Sequence, residues 1–292
     1  MKQFLIYVAL LLGMTTIFMV AFDAIYTTAF IEGIPRSKLQ YALQKENVTY
    51  DYVFFGSSRT EFHVDCDLVE RLTGKSCINY GISGTTLFDT YALLELLQSQ
   101  GVTIKNAFVQ VDYLFNDVEY SPKFRAQLLP YHNESKLGSV LDDYDYSFWN
   151  EYIPFYSFIE NGHVTGFREI FNSLRGARPA ANFDNGFIPK FGKHDNIVRA
   201  LPDRIIGANE SIDAMKKLFQ KKNVAAYFFT APICNTAIGR DYIDKLKIKI
   251  PELHNYVSVY DDNFDYYFDC GHLNDTGAQD FTRRLTEDLI LN

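Results

Sequence analysis

The order of apolar and polar residues separates an N-terminal apolar stretch from a region where strands and helices alternate. Residues 4–22 carry no charge, and their length is close to the ~20 residues that a membrane-spanning helix requires. Lys2 precedes this stretch and Asp23 follows it, which predicts a cytosolic N-terminus and a globular part outside. A cleaved signal peptide and a buried soluble helix stay open as alternatives, although residues 20–24 are a poor cleavage site.

Downstream, apolar runs of strand length alternate with segments of helical spacing. The predicted strands lie at 51–55, 77–80, 107–111, 224–230 and 256–261, and the predicted helices at 37–45, from about 61, and at 87–97, 210–222, 240–250 and 276–289. In the first strand, residues 53–55 are apolar at both odd and even positions, which suits a strand buried on both faces of a parallel sheet. The sequence therefore predicts an α/β fold, a doubly wound (flavodoxin-like) three-layer sandwich with a mostly parallel sheet, plus one transmembrane helix.

The alternation is interrupted between about 121 and 201. This segment is rich in aromatic residues and then in Gly, Pro and Asn, which predicts an insertion rather than further strands. Its aromatic side chains suit sugar stacking or an acyl pocket, and packing of a satellite core is the alternative. The expected division is a membrane anchor at 1–30 and one domain at 31–292 that contains the insertion. His163 and His194, within it, are interpreted as surface or core histidines.

Composition narrows the class of protein. The formal charge is −8, from 28 Lys and Arg against 36 Asp and Glu, which argues against nucleic-acid binding. The four cysteines form an even set, as expected for disulfides outside the cytosol, and their spacing does not suit a zinc site. The favoured pairs are Cys66 with Cys77, around one helix and strand, and Cys234 with Cys270, near the carboxyl edge of the sheet. Four free thiols are the alternative.

Two short stretches carry candidate chemistry. In the first, a predicted strand leads into Gly56, Ser57, Ser58 and Arg59. The Ser58 hydroxyl is expected at the tip of a strand-to-helix turn, where unpaired N–H groups suit a developing oxyanion. Ser57 is the rival nucleophile. Arg59 is expected either to pair with a carboxylate in the core or to contact an anionic substrate.

The second stretch is a predicted turn before the last helix. Asp269 precedes His272 by three residues, a spacing at which the carboxylate can accept from one ring nitrogen while the other nitrogen faces a nucleophile. Helix capping is the alternative role both for this pair and for Ser58.

Together the two stretches resemble the first and last sequence blocks of the SGNH (GDSL-type) hydrolase superfamily, over about 51–120 and 205–290. Ser57 stands where the Gly-Asp-Ser form of that family has an aspartate. The Gly-Ser-Ser-Arg form is similar to membrane-attached members that handle acyl groups on cell-surface polymers. The resemblance implies a triad of Ser58, His272 and Asp269 that works through an acyl-enzyme, without a cofactor or metal.

The resemblance also implies further oxyanion donors. Gly84, between a strand and a helix, matches the glycine of the second block, with Gly81 as second choice and an ordinary turn as the alternative. Asn116 matches the asparagine of the third block, although the glycines expected before it are absent and it lies farther from the strand. Asp112, at the strand end, is the candidate to replace part of that role as a structural or binding residue.

By this resemblance the chain is a membrane-anchored serine esterase or O-acyltransferase that acts on acyl groups of an extracytoplasmic glycan or envelope polymer. Similar anchored proteins assist O-acetylation or D-alanylation of bacterial envelope polymers beside a multi-pass membrane acyltransferase, which is the implied partner. A non-catalytic binding or assembly protein with the same fold is the alternative. A third possibility is a structural membrane-anchored domain unrelated to this family.

Overall fold

The chain packs as two compact units, residues 1–44 with 122–179 and residues 45–121 with 180–292. The computed structural model describes residues 1–131, 138–162, 166–179, 181–194 and 199–292, so His163 lies outside the described residues. The helices are α1 (Lys2–Ile31), α2 (Lys38–Leu43), α3 (Ser58–Glu61), α4 (Cys66–Thr73), α5 (Leu87–Ser99), α6 (Pro122–Leu128), α7 (Phe148–Tyr152), α8 (Tyr156–Glu160), α9 (Phe167–Leu174), α10 (Glu210–Lys222), α11 (Tyr242–Lys249) and α12 (Asp275–Thr286). The strands are β1 (Thr49–Gly56), β2 (Cys77–Gly81), β3 (Thr103–Gln110), β4 (Ala225–Thr230), β5 (His254–Asn255), β6 (Tyr267–Asp269) and β7 (His272–Leu273).

A five-stranded parallel sheet in the order β2-β1-β3-β4-β5 forms the centre of the larger unit. The register pairs Gly56 with Gly81 and Phe55 with Val109, so β1, β2 and β3 end close to one another. The α/β class and the first four strands are confirmed. Residues that follow these strands therefore meet at one edge of the sheet.

The core of this unit rests on the central strands. In β1, residues 53–56 are all buried. This agrees with the sequence, which is apolar at both odd and even positions of residues 53–55. Phe54 stacks on Phe108 with ring centroids 4.6 Å apart, and Phe108 stacks on Tyr227 at 4.9 Å. Three neighbouring strands thus contribute to one aromatic layer, and such rings bury large apolar areas.

Two predicted elements are wrong. The helix expected from about 61 is broken, because Asp65 accepts from the backbone N–H of Asp67 at 2.9 Å and starts α4 as a new helix. The strand expected at 256–261 is a series of turns in which Val259 N–H donates to the Tyr256 carbonyl at 3.3 Å. Tyr256, Val257 and Tyr260 are buried although they belong to no strand.

The smaller unit is helical in its described residues. Its first helix, α1, is long and apolar enough to cross a membrane. The apolar residues up to Phe22 are almost all exposed, whereas Tyr26, Ala29 and Phe30 near the end of the helix are buried. Phe158 lies 5.0 Å from Tyr26 and 5.9 Å from Phe30 between ring centroids. Part of the aromatic segment therefore packs the core of this unit.

Side chains of the same unit cap the C-terminal end of α1. The amide of Gln40 donates to the carbonyl of Phe30 at 2.9 Å, and the hydroxyl of Tyr131 donates to the same oxygen at 2.9 Å. These bonds satisfy a carbonyl that a helix end leaves without an intrahelical partner. Where the anchor, the domain and the insertion begin and end stays a prediction.

Candidate active site

Ser58 lies where β1 ends and α3 begins, at the carboxyl edge of the sheet. Gly56 has a φ of +147°, and a Cβ there would overlap Thr60 and Gln110, so only glycine fits. Because Ser58 is the first residue of α3, its backbone N–H has no acceptor within the helix. The Ser58 hydroxyl lies 2.9 Å from Nε2 of His272.

Ser57, the rival nucleophile, is used inside the fold. It is 1% exposed. Its hydroxyl donates to Oε1 of Gln110 at 2.9 Å and accepts from the backbone N–H of Arg59 at 3.4 Å, which caps α3. Because this buried hydroxyl already donates one hydrogen bond and accepts another, it is not available to a substrate. The geometry therefore favours Ser58.

Asp269 and His272 lie on the antiparallel pair β6–β7. Nδ1 of His272 is 2.9 Å from Oδ2 and 3.0 Å from Oδ1 of Asp269. Together with the Ser58 contact, this gives a continuous line from hydroxyl to imidazole to carboxylate. A carboxylate on Nδ1 selects the tautomer in which Nε2 accepts a proton, and it stabilises the imidazolium formed afterwards.

The Asp269 carboxylate is held in its ionised form. Oδ1 accepts from the backbone N–H groups of Gly271 at 2.7 Å and His272 at 3.0 Å. Burial raises the pKa of Asp269, but the hydrogen bond and charge of His272, the Gly271 N–H and the charge of Arg199 outweigh it and lower the pKa to about 2. The carboxylate therefore stays charged across the neutral pH range.

Both favoured disulfides are confirmed. Cys66–Cys77 joins the start of α4 to the start of β2, and Cys234–Cys270 joins the loop after β4 to the turn between β6 and β7. The backbone N–H of Cys234 also donates to the Cys270 carbonyl at 3.0 Å. The second disulfide lies directly after Asp269 and so fixes the turn that carries the acid and the base. Two disulfides indicate an oxidising, extracytoplasmic environment.

His63 supports the same turn from the other side. Its Nε2 accepts the backbone N–H of Leu273 at 2.9 Å, one residue after His272, and the two imidazole centroids are 6.1 Å apart. Burial, followed by the charges of Arg59 and His272, lowers the pKa of His63, so its ring stays neutral and accepts this bond. No sequence signal marks this role, because a single histidine without a spaced partner looks like any core residue.

The loop that carries Gly84 is tied to the helix of the nucleophile. Gly84 is exposed and has a φ of +82°. The carboxylate of Glu61 accepts from the backbone N–H of Ser83 at 3.1 Å and also from its hydroxyl. Glu61 lies on α3, three residues after Ser58, so the glycine loop and the nucleophile are held by the same helix.

Two other expected oxyanion donors have their groups engaged elsewhere. The N–H of Gly81 donates to Oδ1 of Asn79 at 2.8 Å. The side-chain amide of Asn116 donates to the carbonyl of Arg204 at 2.7 Å, and its oxygen accepts from the N–H of Ile206 at 3.2 Å. The bond to Arg204 uses one of the two N–H donors of the Asn116 amide, and the role of Asn116 at the oxyanion stays a prediction.

Arg59, directly after the nucleophile, points into the core. Nη1 donates to Oδ2 of Asp112 at 2.5 Å, and Nη2 donates to the carbonyls of Ala231 at 2.5 Å and Pro232 at 2.8 Å. Gln110 joins them by donating to the same Asp112 oxygen at 2.7 Å. Of the two roles expected for Arg59, pairing with a core carboxylate is the one observed. This network ties the ends of β1, β3 and β4 together.

A cleft of about 190 Å³ opens beside His272. Apolar side chains and a few polar ones line it: Leu201, Pro202 and Ile233 with Tyr113, Asp117 and Arg199. This volume is below the ~300–1,000 Å³ typical of drug-sized ligands, so the cleft suits a small group. Sequence reasoning missed Tyr113 and Arg199, because neither belongs to a motif and only the fold brings them beside the histidine.

Comparison with known proteins does not assign the chain to a family. No protein-family model matches it, and no curated protein matches it. The geometry of the site therefore carries the functional conclusion by itself.

Proposed function

We propose that the chain is a membrane-anchored serine esterase or O-acyltransferase that acts on acyl groups of an extracytoplasmic glycan or envelope polymer. The observation that carries this proposal is the line of contacts from Ser58 through His272 to Asp269, at 2.9 Å for each link. Nucleophile, base and orienting carboxylate are the three groups that covalent acyl transfer requires.

The proposed reaction runs in two halves. Ser58 Oγ attacks the acyl carbonyl carbon while Nε2 of His272 takes the hydroxyl proton, and Asp269 stabilises the imidazolium. The N–H groups of Ser58 and Gly84 bind the oxyanion. Collapse breaks the ester bond, and the leaving alcohol takes the proton from His272. Water or a sugar hydroxyl then attacks the Ser58 ester in the same way, which releases the acid or a new ester.

The proposal includes an SGNH-type, doubly wound arrangement of the larger unit. The strand order 2-1-3-4-5 supports it, since this is the order of flavodoxin-like doubly wound sheets. In such folds ligands bind outside the carboxyl ends of the strands, and Ser58 and Gly84 follow two of these ends.

The proposed location is outside the cytosol, anchored by a single uncleaved span. The apolar helix α1 and the two disulfides support it, and Lys2 before the span supports a cytosolic N-terminus. The small cleft beside His272 supports a short acyl group. A multi-pass membrane acyltransferase is the proposed source of that group.

A serine-directed fluorophosphonate and p-nitrophenyl acetate test the chemistry. We expect the full chain to form an adduct on Ser58 and to hydrolyse the ester, and Ser58→Ala to lose both while keeping its denaturation midpoint. Ser57→Ala is the matched control, because it removes the neighbouring hydroxyl. We expect it to keep the adduct and to lose about 1 kcal/mol of stability as a helix cap.

A folded wild-type chain without a Ser58 adduct would contradict the enzymatic proposal. It would favour a non-catalytic binding or assembly protein with the same fold. The bonds of the Asn116 side chain to Arg204 and Ile206 favour this alternative, since they commit one of its two amide N–H donors and its oxygen to another loop.

A further inference from the structure

Three aromatic side chains on α7 stand exposed in the smaller unit. Phe148, Trp149 and Tyr152 are 64%, 56% and 59% exposed. The ring of Phe148 lies 4.7 Å from that of Tyr152 and 5.9 Å from that of Trp149, so the three form one continuous surface. Clustered apolar exposure of this kind marks an interaction site more often than single exposed residues do. These three residues are called the aromatic surface below.

The aromatic surface lies beside the point where α1 changes from exposed to buried. The backbone N–H of Phe155 donates to Oδ1 of Asp23 at 2.7 Å, and the Phe155 ring lies 5.6 Å from that of Phe22. A groove is lined by Val20 and Asp23 on one side and by residues 150–154, including Tyr152, on the other. The surface is therefore level with residues 20–23 of α1.

This level coincides with the expected edge of a bilayer. Residues 3–22 carry no charge, and at 1.5 Å per residue such a segment spans about 30 Å, the thickness of the hydrocarbon core. Asp23 is the first charged residue after it. Beyond that point Tyr26, Ala29 and Phe30 are buried in the protein, so α1 leaves the membrane close to Asp23.

The chemistry of the surface selects the interface between headgroups and acyl chains. Tryptophan and tyrosine prefer this zone because their rings are apolar and their N–H and O–H groups still reach water. Residues 146–160 contain no Lys or Arg, and Glu151 and Glu160 are their only charges. Attraction to anionic lipids therefore does not drive the contact.

We propose that Phe148, Trp149 and Tyr152 form a second membrane contact, in which their rings enter the interfacial zone of the same bilayer that α1 crosses. The lipid it fits is a zwitterionic one. This inference rests on the anchoring role proposed for α1 and not on the esterase chemistry. Its consequence is that the smaller unit lies on the membrane surface and is not suspended above it.

The single tryptophan of the chain makes the contact directly measurable. The full chain is reconstituted into phosphatidylcholine vesicles that contain a lipid with a nitroxide near the headgroup end of its acyl chain, or near the chain terminus. We expect the shallow nitroxide to quench Trp149 fluorescence several-fold more than the deep one. High salt should leave this quenching unchanged, whereas its loss in salt would overturn a contact made by rings.

The matched control moves the tryptophan within the same unit, in the double variant Trp149→Phe, Phe171→Trp. Phe171 is 52% exposed. Ser173, two residues later in the same helix, donates to the carbonyl of Ala29. Ala29 is seven residues, and thus about 10 Å, beyond Phe22 along α1. We expect little quenching there. Equal quenching at both positions would overturn the proposal.

The outcomes separate the surface from the anchor. Vesicle flotation of the full chain reports anchoring by α1. A chain that floats while Trp149 is unquenched would overturn the aromatic surface and leave the anchor standing. A second copy of the chain could instead cover the aromatic surface. In that case Trp149 would be quenched only when the ratio of protein to lipid in the vesicles is lowered, and this result would also overturn the proposal. A chain that does not float overturns both.

Discussion

The two halves of the candidate triad are held in place by different means. Ser58 follows a central strand of a parallel sheet. The next residue, Arg59, forms a buried ion pair with Asp112 in the core. His272 lies in the short antiparallel pair β6–β7, which a disulfide and the His63 contact hold. The first half is part of the core, whereas the second depends on a few separate contacts.

This difference predicts which substitutions should lower the stability of the chain and which should lower its activity. Changes to the buried Arg59–Asp112 pair beside Ser58 remove interactions that also hold the sheet, so they should lower the stability of the chain more than they lower its activity. Changes around His272 loosen one turn, so they should slow the reaction while the sheet stays folded.

The largest loss of stability is expected from Asp112→Asn. It leaves the Arg59 guanidinium buried without a counter-charge, and breaking a buried pair in this way costs about 3–5 kcal/mol. Urea denaturation of the full chain measures it. Lys105→Ala is the control, since it breaks the partly exposed Lys105–Asp51 pair, which should cost less than about 1 kcal/mol. Equal losses in the two variants would contradict a special role for the buried pair.

The two disulfides should have similar effects on stability and different effects on activity. Their sequence separations of 11 and 36 predict losses of roughly 3 and 4 kcal/mol on removal, from the entropy of the unfolded chain. Replacing Cys234 and Cys270 by Ser should also lower kcat, by up to about 100-fold, because the base moves relative to Ser58. Replacing Cys66 and Cys77 should leave kcat unchanged. A parallel fall of kcat in both double variants would remove the distinction.

A smaller effect is expected from His63→Phe. The Leu273 N–H then loses its acceptor, at a cost of about 1–3 kcal/mol, and His272 loses a support one residue away. We expect kcat for ester hydrolysis to fall and the KM to stay the same. His63→Gln keeps an acceptor at this position and should restore most of the turnover. An equally slow Gln variant would show that the ring itself, and not its acceptor, is required.

The smallest effect concerns acid stability. The pKa of Asp269 is about 2 in the folded chain against an ordinary value of 3.8, so its ionised form stabilises the fold above about pH 4. That contribution is lost as the pH falls from about 4 to about 2. The urea midpoint of Asp269→Asn should therefore fall less over this range than that of the wild type. Asp51→Asn should behave similarly, since the Lys105 hydrogen bond also lowers the pKa of Asp51 to about 2, but it should keep esterase activity.

Much of the sheet and the positions of the proposed triad could be predicted from local patterns. Residues 53–55 are apolar at both odd and even positions. A central parallel strand has this pattern because helices cover both of its faces. Ser58 and His272 each lie in a short motif with its own physical reason, and the resemblance of the two motifs to the SGNH sequence blocks combined them into one predicted triad. The pairing of Cys66 with Cys77 followed from their positions on either side of one predicted helix and strand, and that of Cys234 with Cys270 from their predicted positions near the carboxyl edge of the sheet.

Other features depend on contacts that no local pattern records. Val257 and Tyr260 looked like strand residues because they are apolar, yet they are buried in consecutive turns. His63 and Arg199 reach the turn that carries His272 only through the fold, because both are far from it in the chain. Asn116 was matched by residue type, but its amide lies against a loop about ninety residues later in the chain.

The continuity of α1 has a mechanical consequence. The helix runs from Lys2 to Ile31 without interruption, and its last turns are packed into the smaller unit. No hinge therefore separates the part that is suited to lipid from the part that is suited to protein. In the proposed membrane-anchored arrangement, a tilt or rotation of α1 in the bilayer would therefore also turn the unit into which its last turns pack. One inserted residue near Asp23 would turn that unit by about 100° and lift it by about 1.5 Å.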